Sequence, residues 1–299
     1  MRSENLKTVF KQDRPFFLAI PAILWPAIFL YIPLVFLVGI SFLKSFDYSV
    51  FDYSVIDALT FNNYRLLFSF TYVKILFRSF YLAFFTGFFC LLISYPIAYF
   101  LALRVGRFKN LLLFFLVLPF WTNFIVQVYA WFYILDVKGV LNTVFLKLGI
   151  ISEPLHILYT PTAIYIVMLF CYLPFMVMPI YTSLSKIEKD TLEASDDLGA
   201  KPWQTLLYVT WPLSLSGVVT GFFLVYIPSF GEFVIPTLLG GGKIMFVGSL
   251  ISYFFLDTKN IFLGAAFTCV SGLFLIISAL LIFWIFRRYA KKVGGIYEK

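Results

Sequence analysis

Charge-free intervals constrain this chain more than any other feature. A charge at mid-membrane costs roughly 2.5–3.5 kcal/mol on insertion scales, so the gap between successive charges bounds what can cross a bilayer. Six gaps are long. Arg14 to Lys44 encloses 29 residues, Arg78 to Arg104 encloses 25, and Lys109 to Asp136 encloses 26. Glu153 to Lys186 encloses 32, Lys201 to Glu232 encloses 30, and Lys259 to Arg287 encloses 27. Each exceeds the roughly 20 apolar residues a transmembrane helix needs. A seventh gap, Lys243 to Asp257, encloses only 13 and reads as an interfacial or re-entrant piece. Composition agrees. Hydrophobic residues make up 62% and charged residues 13% of the chain, and no soluble fold could cover that much apolar surface with so few charges. The expectation is an all-α polytopic membrane protein with six transmembrane helices, at about residues 17–43, 79–103, 111–135, 158–185, 204–231 and 261–286. They form one domain over 15–286, between tails at 1–14 and 287–299.

The first span does not read as a cleaved leader. Its apolar run is about twice the length of a signal h-region, and no small-x-small cleavage site follows it. Orientation comes from Lys and Arg alone. Fifteen of them fall in the N-terminal tail, the second and fourth loops and the C-terminal tail; eight fall on the other side. An even number of spans then puts both termini in the cytoplasm. The first external loop opposes this bias, since it holds Lys44, Arg65, Lys74 and Arg78. The net charge of +8 belongs to these anchoring loops and does not point to nucleic acid. Cys90, Cys171 and Cys269 each sit in an apolar run; an odd count without CxxC spacing argues against disulfides or zinc. They read as buried thiols between helices.

Prolines 96, 119, 174, 179, 212 and 228 fall inside spans. Each removes an amide donor and bends its helix, which suits a transporter and also occurs in inert bundles. No internal repeat is visible, against secondary carriers built from duplicated halves. No charge sits deep in a span, where proton-coupled carriers place one; the nearest are Asp136 and Glu232, at span ends. The single histidine, His156, lies in an external loop. There is no nucleophile elbow and no HExxH. Gly240-Gly241-Gly242-Lys243 superficially resembles a Walker A loop, but Thr237 stands where its first glycine belongs. Energy for uphill transport would therefore come from another subunit.

The stretch from Lys186 to Trp203 is the most charged of the chain, on the cytoplasmic side. Asp190 or Thr191 can N-cap a short helix, with Glu193 in its first turn. Leu192, Ser195 and Leu198-Gly199 share one face at helical spacing. Gly199 suits the left-handed position that ends a helix, and Pro202 suits the first turn of the next. A short amphipathic helix tethered to two spans is a shape that can press into a groove on a cytoplasmic partner. An ordinary solvated loop reads the same way on physics alone.

Glu193-Ala194-Ser195, then Gly199, then Val209, Trp211 and Pro212 resemble the EAA loop of bacterial ABC importer permeases. That pattern is Glu-Ala-Ala, three residues, Gly, nine residues, Ile, one residue, Leu-Pro. The chain matches at Glu193, Ala194, Gly199 and Pro212, and departs at Ser195, Val209 and Trp211. The resemblance implies a type I ABC importer permease-like bundle whose loop, through Glu193, Ala194, Ser195, Leu198, Gly199 and Pro212, docks on an ATPase. Leu118-Pro119-Phe120-Trp121-Thr122-Asn123 and the run from Ile227 to Pro236, followed by Leu238-Leu239-Gly240-Gly241, resemble the permeases of spermidine/putrescine importers. That resemblance covers about Pro15 to Arg288. It implies a bacterial inner-membrane, non-catalytic subunit with no cofactor of its own. ATP and magnesium would be bound by a cytoplasmic ABC ATPase dimer. The other implied partners are a second homologous permease, a periplasmic or lipid-anchored substrate-binding protein, and membrane lipid.

A polyamine is a flexible polycation, and its site should pair carboxylates with aromatic faces. Glu232, Asp136, Trp121, Asn123 and Tyr129 are the candidates for such a pathway. The blander reading makes Glu232 a solvated loop residue and the aromatics an interfacial belt. Other classes remain open at this point: a permease for another small solute, a secondary carrier, or an integral membrane enzyme.

Overall fold

The computed structural model describes residue 21 and residues 24–44 and 59–294. The N-terminal tail, residues 1–14, and the last five residues lie outside the described part. Six helices in it are long and apolar enough to cross a membrane. They are α1 (Leu24–Ser41), α3 (Phe70–Leu103), the Phe124–Lys147 segment made of α5 (Phe124–Leu135) and α6 (Val140–Lys147), α7 (Pro161–Leu184), α9 (Pro202–Phe230) and α12 (Ile261–Gly294). Between them lie α2 (Asn62–Leu67), α4 (Lys109–Trp121), α8 (Lys189–Asp197), α10 (Val234–Gly240) and α11 (Val247–Asp257). The one β feature among the described residues is an isolated bridge, Leu43 to Leu59.

The chain divides into two compact units. One comprises the described residues up to Ser69 with Phe254–Val270. A helix leaves its last four carbonyls without intrahelical donors. Here the Asn63 side chain donates to the carbonyls of Ser41 (3.0 Å) and Leu43 (2.9 Å) at the end of α1. The Tyr64 hydroxyl lies 2.6 Å from Ser41 Oγ, and Phe42 packs between the rings of Phe61 and Tyr64. Most of α1 itself is exposed, as expected of a helix whose apolar surface faces lipid or another subunit.

The second unit, Phe70–Tyr253 with Ser271 onward, is built on α3, α7 and α9. Small residues set how closely these helices approach, which is the usual determinant of packing where lipid removes the hydrophobic drive. A Cβ on Gly217 of α9 would sit 2.5 Å from the Pro179 carbonyl oxygen of α7, and one on Gly221 would sit 2.9 Å from Met176 Sδ. Gly87 of α3 lies under the Phe222 ring, at 2.8 Å by the same measure. Two buried tyrosine–serine hydroxyl pairs bridge the helices, while the buried Thr86 and Ser229 hydroxyls lack a partner among the described residues. Tyr95 meets Ser214 at 3.0 Å and Tyr226 meets Ser278 at 2.7 Å.

Two features differ from the simple six-rod picture. The charge-free interval from Lys109 to Asp136 holds two helices, because α4 tightens into a 3₁₀ turn at Leu118–Trp121 and Asn123 starts a fresh helix by accepting from the Ile125 amide at 2.9 Å. Helix α3 begins at Phe70, eight residues before Arg78.

Candidate functional site

The charged loop folds as a helix, a reversal and a second helix. The expected N-cap at Asp190 or Thr191 moves: Glu188 is the N-cap of α8, and Asp190 lies in its first turn, where a carboxylate favours the helix dipole. The C-terminus is closed by a pair of backbone bonds, Gly199 N–H to Asp196 C=O at 2.9 Å and Ala200 N–H to Ser195 C=O at 3.1 Å. This is the Schellman arrangement, and it needs the positive φ of +75° that Gly199 adopts. Ser195 and Leu198 line one cavity, Ser195 at its buried floor and Leu198, the helix C-cap, 88% exposed at its edge. The Ser195 hydroxyl lies 2.9 Å from the Thr205 hydroxyl, a bond the alanine of the family pattern could not make. Pro202 occupies the first turn of α9, whose next turn, Thr205–Thr210, is π-helical; Pro212 lies just beyond it. Thr191, Ala194, Leu198, Gln204, Tyr208 and Leu213 line an open cavity of about 410 Å³ beside α8. Glu193 points to solvent.

At the far end of α9 the helix stops at Phe230, and Glu232 fills the gap before α10. Its Oε1 accepts from the Val234 amide at 2.9 Å and the Ile235 amide at 3.4 Å. Its Oε2 accepts from the Tyr172 hydroxyl of α7 at 2.8 Å. The carboxylate thus satisfies orphan amides at a helix start and is half-buried. The backbone of α11 closes in behind it: a Cβ on Gly248 would sit 2.2 Å from the Gly231 carbonyl oxygen and 2.9 Å from that of Glu232.

The break between α4 and α5 faces the same turn of α7. The Gln127 amide bridges the Pro119 carbonyl and the Thr122 hydroxyl, and the Cys171 thiol reaches Gln127 Oε1 at 4.0 Å. Phe120 packs edge-on against Phe175 at 4.6 Å. The two broken helices, carrying Asn123 and Glu232, therefore meet through Cys171 and Tyr172. Tyr172 and Gln127 complete this arrangement; a tyrosine inside a long apolar run gave no sequence signal. Trp121 and Tyr129 are exposed, with Trp121 edge-on to Phe114. Asp136 stands apart from Glu232 in its bonding. Its Oδ1 accepts from the Lys138 amide at 2.9 Å, and its carbonyl accepts from buried Asn142 at 3.1 Å. It organises a loop. The Gly240–Gly242 run wraps the Tyr159 ring: Gly241 and Gly242 have φ of +60° and +70°, and a Cβ on Gly241 would meet that ring at 2.5 Å. Among the described residues no group of three or more His, Cys, Asp or Glu side chains could hold a metal ion.

Residues 94–294 match the profile of a family described as binding-protein-dependent transport system inner membrane component. The spermidine/putrescine transport system permease protein PotB of Salmonella typhimurium (strain LT2) is 38% identical over 279 residues, covering 92% of this chain and 94% of that protein. PotB of Escherichia coli (strain K12) is 38% identical over 257 residues, covering 85% and 92%. A crystal structure of a bacterial ABC transporter involved in the import of the acidic polysaccharide alginate contains a chain that superposes with a TM-score of 0.68 at 17% identity, covering 96% of this chain and 99% of that one.

Proposed function

The chain belongs to the family of inner-membrane components of binding-protein-dependent transport systems, and on that premise we propose that it is the permease subunit of an ATP-driven importer of polyamines of the spermidine/putrescine class. Its similarity to PotB over nearly the whole chain supports the substrate class. The single observation that carries the reading within this chain is the half-buried Glu232 at a helix break, bonded to Tyr172. A fixed negative charge on backbone that opens between helices attracts a polycation and repels an acidic cargo. Irregular backbone at such a place is tolerated only against protein or water, which fits a pathway wall. The opposite charge would suit an acidic polysaccharide.

In this reading both termini, and the loop 186–203 between α7 and α9, are cytoplasmic. The ATPase seats against α8 and the apolar cavity beside it, and ATP and magnesium stay on that partner. A second permease and an external binding protein complete the assembly. Helix α9 joins the two ends of the device. Its 29 residues make a rod of about 43 Å at ~1.5 Å per residue, with Thr205 tied to the docking helix at one end and Glu232 following the other. Gly217 and Gly221 give it a smooth contact on α7 along which to shift. Closure of the ATPase would move α8, then α9, then the Glu232–Tyr172 contact.

Glu232→Gln tests this. It keeps size and hydrogen-bonding capacity and removes the charge. Initial uptake of labelled spermidine, normalised to complex recovered from membranes, is expected to fall severalfold with assembly intact. Unchanged uptake across substrate concentrations returns Glu232 to the role of a loop cap.

A further inference from the structure

A cavity of about 230 Å³ opens between α3, α7 and the start of α11, far along both helices from the docking loop. Arg78, Tyr81, Leu82, Ile164, Tyr165 and Phe246 line it. Arg78 is the last charge before the 25-residue interval that ends at Arg104, so its position is the membrane boundary. Among the described residues the Arg78 guanidinium has no hydrogen-bonded or ion-paired partner, and neither the Tyr81 nor the Tyr165 hydroxyl is bonded. No acidic residue occurs between Asp57 and Asp136 to neutralise this stretch of chain. Pro161, the first residue of α7, also borders the cavity; it has no N–H and the Thr160 hydroxyl takes the Ala163 amide at 3.4 Å, so that helix end contributes its dipole rather than a set of free amides. Beyond the mouth, Tyr81, Phe85 and Phe89 stack along the exposed side of α3, with ring centroids 6.3 and 6.1 Å apart.

The geometry points to a binding site for an anionic glycerophospholipid. Its phosphodiester is held by Arg78 and the two tyrosine hydroxyls, and one acyl chain lies along the Tyr81–Phe85–Phe89 ladder. The cation and helix end select the negative headgroup; the rings select a lipid over a soluble phosphate.

Native mass spectrometry of the assembled transport complex, released from detergent with added phosphatidylglycerol, tests the site. Arg78→Gln is expected to retain about tenfold less of this lipid, the loss that follows from removing one charge-assisted bond. Arg78→Lys should retain it nearly as wild type does. Arg104→Gln, at the other end of α3, should change nothing. Ile244→Glu is a second probe: it leaves Arg78 in place and offers it an internal carboxylate, which should expel the lipid as Arg78→Gln does. Phosphatidylcholine should bind weakly to all forms. Undiminished phosphatidylglycerol in both Arg78→Gln and Ile244→Glu, or equal retention of phosphatidylcholine, overturns the proposal. Displacement by glycerol 3-phosphate at matching concentration overturns it too, in favour of a site for soluble anions.

Discussion

Adding one methyl group at Gly217 should loosen the α7–α9 pair, and the size of the effect follows from three distances. The new Cβ would lie 2.5 Å from the Pro179 carbonyl oxygen, 2.6 Å from Ser183 Cβ and 3.1 Å from Ile180 Cα. Comfortable carbon contacts lie at about 3.5–4.0 Å, so the two backbones must separate by about 1 Å. Two of the three obstructing atoms are backbone and cannot rotate away. Overpacking of this kind costs about 1–3 kcal/mol. Alanine returns about 0.5–1 kcal/mol through its better helix propensity, leaving Gly217→Ala destabilised by up to about 2.5 kcal/mol, with a central value of about 1 kcal/mol. Gly272 in α12 is the matched control. Nothing lies within 4 Å of its added Cβ, so the same substitution there keeps only the propensity gain. Thermal unfolding of the purified complex in detergent, followed by loss of the monodisperse chromatographic peak, compares the two. Gly217→Ala should melt below wild type and Gly272→Ala at or above it. A Gly217→Ala protein as stable as the Gly272→Ala protein would refute the close-packing argument.

Other expectations are as direct. Gly199→Asn should transport nearly as wild type, because asparagine tolerates a positive φ, whereas Gly199→Leu should bind the ATPase poorly and uncouple hydrolysis from uptake; equal behaviour of the two in an ATPase–transport comparison refutes the role of the reversal. Asn142→Leu removes two bonds donated to the carbonyls of Asp136 and Leu155 and one accepted from the Leu155 amide. Unmet buried groups cost about 1–3 kcal/mol each, so limited proteolysis should cut the 136–155 region faster. A cysteine placed at Lys138 should react with an impermeant reagent in intact cells and one at Asp197 should not; the reverse pattern inverts the assigned orientation.

The helical class and the number of membrane segments were legible because charge-free length is a one-dimensional property, and hydrocarbon penalises each charge independently; the third segment nevertheless falls at Phe124–Lys147, past Asp136 and Lys138, and not at 111–135. Helix ends were less so. The charge ruler measures hydrocarbon thickness, whereas α3 continues through Arg78 and Lys74 to Phe70 because helix formation does not stop where lipid does. The break at Thr122–Asn123 had a local signal, a proline followed by a capping asparagine, but the apolar interval around it masked the signal. In the loop 186–203 the reversal at Gly199 was readable from spacing. The bond from Ser195 to Thr205 was not, since it depends on how the next helix packs back against α8. The partners of Glu232 were beyond reach: Tyr172 lies 60 positions away, and only the packing of α7 beside the end of α9 brings its hydroxyl to the carboxylate.

The most direct test of the account is reconstitution. The chain should be assembled with its partner permease, ATPase and binding protein in sealed liposomes, and labelled spermidine uptake followed with and without ATP on the ATPase side. A polyamine permease gives ATP-dependent accumulation that needs the binding protein, is competed by unlabelled putrescine or spermidine, and is untouched by an acidic oligosaccharide. ATP hydrolysis stimulated by the loaded binding protein with no movement of either polyamine would contradict it.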